Sequence, residues 1–223
     1  MSALGRLVRR AVPPATLMRW LCRVDNAVYR AMSLAAVDYD GGWHVKHRLT
    51  RYHDFFVERV EPGARVLDVG CGPGALAADL ARGRDARVTG VDFDAGAITT
   101  ARRRFDDPRL TFRVGDARAL DGERFDVVIL SNVLEHLDDR IDFLRDITAR
   151  TGARHVLIRV PLFERDWRVP LKRELGIEHR LDPTHRIEYT LEEFEDEVAK
   201  AGLAVTERQV RWGEIWATCR PGP

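Results

Sequence analysis

Residues 66–80 read VLDVGCGPGALAADL. An apolar run around one carboxylate, Asp68, ends in a glycine-rich loop and continues as a helix-forming stretch. A buried strand, a glycine loop and a helix are the start of a βα unit, and such loops often hold phosphates. The glycines here are Gly70, Gly72 and Gly74, spaced G-x-G-x-G. The dinucleotide fingerprint is G-x-G-x-x-G, with the helix N-terminus aimed at a pyrophosphate. Pro73 and Gly74 fill that stretch differently, and Asp68 stands two residues ahead of Gly70. A carboxylate there is a poor neighbour for a pyrophosphate and a good one for an ammonium or sulfonium group. The loop by itself is weak evidence, so its companions must decide.

Outward from this stretch the chain alternates strands and helices. ARVTGVDFD, LTFRVGDA, FDVVILSNV and RHVLIRVP read as strands two to five. AGAITTARRRF and LDDRIDFLRDITART read as helices between them. That alternation implies a mostly parallel sheet covered on both faces. Residues 161–189 break the rhythm with a long connection rich in charge, aromatics, His and Pro, and long loops inside a compact domain are usually functional. TLEEFEDEVAKAG then reads as a helix with a capping box, Thr190 at the N-cap and Glu193 three residues on, ended by Gly202. LAVTERQVR and GEIWATCR form a final antiparallel pair.

Three further signals accompany the loop. Asp92 ends the second strand, about twenty residues past the glycines, where a carboxylate can accept both hydroxyls of a ribose. Asp94 is the better cap for the helix that follows. Asp116 lies just past the third strand, and Ala117 offers a backbone N–H beside it. The fourth strand ends in Ser131-Asn132 and is expected to run straight into a helix holding Glu135 and His136.

Glycine loop, Asp92, Asp116 and SNVLEHL, in that order, resemble class I S-adenosylmethionine-dependent methyltransferases over residues 43–219. The resemblance implies an α/β, Rossmann-like sheet of seven strands in the order 3-2-1-4-5-7-6, strand seven antiparallel, with helices on both faces. It implies that S-adenosylmethionine lies against Asp68, Gly70, Cys71 and Gly72, with Asp92 on the ribose, Phe93 beside it, Asp116 and Ala117 on the adenine, and Ser131 close by. The expected organisation is an N-terminal helical extension and lid over residues 1–60, then a methyltransferase domain over 61–220 with residues 161–189 inserted as a substrate lid.

An alcohol nucleophile needs a base as its proton leaves. His136 is the first candidate, just beyond strand four on the carboxyl edge where parallel sheets bind ligands, with a pKa suited to proton transfer near neutrality. The alternative is that Glu135-His136 only braces the cofactor loop. GIEHRLDPTHRIEY brings His179, Asp182, His185, Glu188 and Tyr189 together in sequence, with His185 a second catalytic candidate. Such a cluster suits a polar acceptor or a divalent cation, though no metal ligand is assigned; the plainer reading is a lid held by surface pairs around an Asp182-Pro183 turn. Upstream, GGWHVKHRLTRYHDFF places Lys46 or His47 to pair with the cofactor's carboxylate and Trp43 to close the site, unless it is simply a solvated helix face with Phe55 and Phe56 in the core.

That upstream segment and DWRVPLKRELGIEHRLDPTHRIEYT resemble bacterial methyltransferases of polysaccharide and glycolipid assembly, except that Val45 stands where Pro is expected. This finer resemblance implies a sugar hydroxyl as acceptor. The alternative acceptor is a small natural product or quinone-type metabolite. A non-catalytic cofactor-binding module is the reading from another class, and a nucleotide-dependent dehydrogenase a further one.

The bulk figures agree with a soluble globular protein. The 223 residues are 45% hydrophobic and 32% charged, and 36 Lys+Arg against 35 Asp+Glu leave a formal net charge of +1. A nucleic-acid partner finds no global charge to meet. Cys22, Cys71 and Cys219 are isolated, which suits a reducing, cytoplasmic setting. No stretch approaches the ~18–20 apolar residues of a membrane span. The N-terminus carries Arg6, Arg9, Arg10, Arg19 and Arg23 before any acid, and Leu17, Leu21, Val24 and Val28 mark one helical face with Thr16 as a candidate N-cap. It reads as a helix packed on the domain, or as a basic amphipathic element resting on the inner membrane face.

Overall fold

The computed structural model describes residues 12–120 and 122–222. They form two compact units, one from the N-terminal residues through Thr50 with Phe163–Pro183, the other from Arg51–Leu162 with residues 184 onward.

The first unit holds α1 (Pro14–Tyr39) and α2 (Lys46–Thr50), and, from the inserted segment, a 3-10 turn at Phe163–Arg165 and a helix whose number follows in chain order below. The long connection therefore carries helical structure of its own. Thr16 is not the cap of α1: Pro13 takes that position and Pro14 opens the helix. Proline there has a φ already set for the helix and lacks an N–H that would have no partner anyway. The Leu21, Val24 and Val28 face is exposed rather than packed. α1 instead turns Asp25 and Asn26 toward the insertion, where Lys172 Nζ donates to Asp25 Oδ2 at 2.6 Å and to Asn26 Oδ1 at 2.7 Å, while Asn26 Nδ2 donates to the Glu178 carbonyl at 2.7 Å. Polar pairs thus join the two segments of this unit.

The second unit is the sheet. Its elements are α3 (Tyr52–Arg59), β1 (Arg65–Val69), α4 (Ala75–Arg84), β2 (Arg87–Asp92), α5 (Ala95–Arg104), β3 (Leu110–Val114), β4 (Val127–Ser131), α6 (Arg140–Thr151) and β5 (His155–Pro161). The inserted helix of the first unit, Arg168–Glu174, is α7, and the chain ends with α8 (Leu191–Lys200), β6 (Leu203–Arg211) and β7 (Glu214–Pro221). The strand order is 3-2-1-4-5-7-6, as the sequence implied. β1 to β5 are parallel, and β7 runs antiparallel between β5 and β6.

Side chains alternate across each strand, and both faces are apolar here because helices cover both. Leu67, Val128, Leu130 and Ile158 enter one core with Phe143, Leu144 and Phe194. Val66, Val127, Ile129 and Leu157 enter the other with Phe55, Phe56 and Leu80. Thr190 and Glu193 form the expected capping box of α8, and Asp94 caps α5 by accepting from Gly96 N and Ala97 N. One local expectation fails. Glu135 and His136 lie in a single 3-10 turn, Leu134–His136, separate from α6. The reason is Asn132, whose left-handed backbone (φ 58°) breaks the path from β4 into a helix.

Candidate active site

The sequence-predicted cofactor residues of the second unit all lie at the carboxyl ends of β1 to β4. Gly70 and Gly72 have φ of 66° and 53°. Gly70 is closed to any side chain twice over, because a Cβ there would stand 2.8 Å from Val133 Cγ2 and the left-handed backbone disfavours it. The loop folds back over the tip of β2: Gly70 N and Cys71 N donate to the Val91 carbonyl at 2.8 and 3.2 Å. Gly72 N donates to Asp92 Oδ2 at 2.8 Å, and Asp94 N donates to Asp92 Oδ1 at 2.9 Å. Two backbone N–H groups thus orient the Asp92 carboxylate, and one of them is a loop donor turned away from any phosphate role.

Asp68 is 1% exposed, and its Oδ2 has no hydrogen-bond partner. Burial, with the Asp92 charge added, pushes its carboxyl up to about 7. An unpaired buried carboxylate is costly, and a cationic group beside the loop would offset that cost. The Cys71 thiol is pushed up by burial and by the Asp68 and Asp92 charges, so it stays protonated. Phe93, 73% exposed, stands beside Asp92 as an open apolar surface. Asp116 accepts from Arg118 N at 2.8 Å and pairs with the Arg118 guanidinium at 3.0 Å. Burial opposes its ionisation, but those bonds outweigh it and hold the carboxyl below its usual range. An adenine amino group would share Asp116 with Arg118. Ala117 is buried at the start of the 3-10 turn that follows. Ser131 closes β4, in register with Arg159 on β5. Lys46 and His47 stand on α2 in the first unit, where Lys46 N donates to His44 Nδ1 at 3.1 Å.

The two catalytic candidates meet. His136 is exposed, His185 buried, and their rings lie edge to face with centroids 4.7 Å apart. Thr184 Oγ1 lies 3.0 Å from His136 Nδ1, and Glu188 Oε1 lies 3.4 Å from His185 Nδ1. Glu135, fully buried, joins them: one donor atom from each of Glu135, His136 and His185 lies within 4.8 Å of the others, close enough to share a divalent cation. His179 and Asp182 belong to the first unit. Tyr189 is core, 1% exposed, its hydroxyl donating to Glu197 Oε2 at 2.8 Å. Sequence reasoning missed Arg159. The signal was present: an arginine inside the apolar strand HVLIRVP.

Residues 66–151 match the family model described as a methyltransferase domain. The chain is 35% identical over 165 residues to the ubiquinone biosynthesis O-methyltransferase of Azorhizobium caulinodans, covering 70% of this chain and 64% of that protein. It is 42% identical over 96 residues to the protein of the same name from Methylocella silvestris, covering 41% of this chain and 37% of that one. The chain thus spans less than two thirds of the length of either. Among solved structures, a complex of the Haloferax volcanii Trm112 methyltransferase activator with a methyltransferase aligns with TM-score 0.65 at 19% identity, covering 89% and 97% of the two chains. Magnesium protoporphyrin IX methyltransferase from Synechocystis with bound SAH aligns with TM-score 0.61 at 20% identity, covering 80% and 84%. The chain has the class I S-adenosylmethionine-dependent methyltransferase fold, and residues 66–151 are similar to the methyltransferase-domain family.

Proposed function

We propose that the chain transfers a methyl group from S-adenosylmethionine to a hydroxyl of a small, quinone-type or phenolic acceptor. The observation that carries this reading is the juxtaposition of His136 with His185 beyond β4, on the same sheet edge as the glycine loop, Asp68 and Asp92. The residues present fit the cofactor. Asp68 Oδ2 is a buried oxygen without a hydrogen-bond partner, suited to a cationic group, and Asp92, held by two N–H groups, would serve the ribose. Asp116 and Ala117 would serve the adenine, with Gly70, Cys71, Gly72, Phe93 and Ser131 around the ligand.

The sulfonium-bound methyl supplies the electrophile. The chain's own part is alignment and proton removal. His136, exposed at the acceptor side and steadied by Thr184, takes the hydroxyl proton, while His185, paired with Glu188, backs its ring. The acceptor class is where the reading departs from the finer resemblance to polysaccharide and glycolipid enzymes. The curated relatives are named for ubiquinone biosynthesis, which supports the quinone-type alternative over a saccharide.

The experiment is label transfer from methyl-labelled S-adenosylmethionine into fractionated extract. Label is expected among small metabolites with phenolic hydroxyls and not among oligosaccharides. His136→Ala should lower turnover by about 10²–10⁴-fold with S-adenosylhomocysteine affinity near wild type; full turnover in this variant would leave the histidine a structural role. Treatment with EDTA is expected to leave turnover unchanged, whereas loss restored by added divalent cation would make Glu135, His136 and His185 a metal site.

We also infer that α1 rests on an anionic lipid surface. Trp20, Val24, Val28 and Met32 are exposed along it, and Arg19, Arg23 and Arg30 are exposed too; Arg6, Arg9 and Arg10 lie outside the described residues. No described helix is long and apolar enough to cross a membrane. Co-sedimentation with anionic liposomes that fades as salt rises is the expected result. No binding at low salt would refute it.

A further inference from the structure

Arg159 is an arginine in the middle of the core, 2% exposed. A buried guanidinium is tolerated only with paired charge and hydrogen bonds. Its surroundings come from four elements of the second unit. From α3, the Tyr52 ring lies under it with the centroid 3.6 Å from Cζ. From β7, Glu214 Oε2 lies 3.3 Å from Nε. From the end of β4, Asn132 Oδ1 accepts a hydrogen bond from Nη2. Its own β5 carbonyl accepts from Asn132 N at 2.8 Å.

Asn132 carries the connection onward. Its backbone is left-handed, which asparagine tolerates better than most residues and which persists where the surroundings over-determine it. Its Nδ2 donates to Glu135 Oε1 at 2.6 Å. Glu135 in turn holds the returning chain: its carbonyl accepts from Arg186 N at 2.6 Å and from Ile187 N at 3.4 Å, the two residues after His185. Guanidinium, carboxamide, Glu135 side chain and Glu135 carbonyl therefore form one continuous path, buried at Arg159 and Glu135 and partly buried at Asn132, to the backbone beside His185.

We propose that Arg159 is a positioning residue which, through Asn132 and Glu135, fixes the Leu134–His136 turn and so sets His136 against His185. Its catalytic consequence rests on the reading of His136 as the base. Its structural consequence does not, so the two fail separately.

The test compares Asn132→Gly, which keeps the left-handed backbone at no steric cost but deletes both side-chain bonds, with Arg159→Lys, which keeps a buried cation but loses the fork. In both, the imidazole NMR resonances of His136 and His185 are expected to move or broaden, while S-adenosylhomocysteine binds within about twofold of wild type. Acceptor turnover is expected to fall about a hundredfold, as for a displacement near 1 Å at a reacting group, with KM changed far less than kcat. Unmoved imidazole resonances in a folded Asn132→Gly protein would overturn the proposal, whatever the activity. Loss of S-adenosylhomocysteine binding in both variants would also overturn it, because the path would then serve the cofactor loop. Should His136→Ala keep full turnover, the base reading falls, and the resonances alone still decide whether Arg159 positions the pair.

Discussion

Asp68 shows how one residue sets local stability against binding. Its carboxyl is raised from an ordinary carboxylate value to about 7 by burial and by Asp92. Between these limits the folded protein holds a proton that the unfolded chain has released. Stability from this group is therefore fully present below the unfolded pKa and is lost as pH rises through about 7. Asp68→Asn should flatten that fall and raise the melting temperature of the ligand-free protein at pH 8, while weakening cofactor binding. Thermal scans at pH 5.5 and 8, with and without S-adenosylmethionine, check both halves. A variant that melts lower at pH 8, or that binds as tightly as wild type, would remove the conflict argued for this carboxylate. Asp68, Asp92 and Asp116 were legible because each stands near the carboxyl end of a strand. Arg159 was not read as functional, because a single charge within a strand does not say what it faces.

At the scale of elements, hydrophobic period located the inner parallel strands β1, β2, β4 and β5, since burial on both faces leaves near-continuous apolar runs. Capping chemistry located the ends of α5 and α8, because Asp94 and the Thr190–Glu193 box act within one turn of the chain. Two elements escaped that logic. The Leu134–His136 turn was read as part of a helix, because nothing local marks Asn132 as left-handed; Arg159 and Glu135, distant or buried, hold it there. The apolar face of α1 with Leu21, Val24 and Val28 allows two readings, packed on the domain or resting on a membrane surface. It is exposed, and Asp25 and Asn26 on another side make the contacts to α7 and its loop. Amphipathicity identifies a helix but not which side has a partner.

For the whole molecule, a ligand that binds only the folded state stabilises it by mass action, about 2.7 kcal/mol at a hundred times its Kd. S-adenosylhomocysteine should therefore raise the melting temperature saturably, and NAD should not. Asp92→Ala should abolish the shift, because it removes the carboxylate that Gly72 and Asp94 hold in place. An equal response to NAD would return the dehydrogenase reading, and an undiminished shift in Asp92→Ala would displace the ribose assignment. Strand order and the carboxyl-edge location of these residues follow from parallel βα topology, in which right-handed crossovers leave few arrangements.

The sequence by itself determined the sheet, its strand order through resemblance, the glycine loop and the acids at the strand ends. These depend on short-range periodicity and on backbone geometry that one stretch of chain enforces alone. Only the tertiary structure decided that His136 meets His185, that Tyr189 belongs to the core and that Arg159 lies behind the site. Those outcomes depend on residues dozens of positions apart sharing one desolvated space. There, partners are chosen by the cost of burying a charge, and no local pattern records that choice.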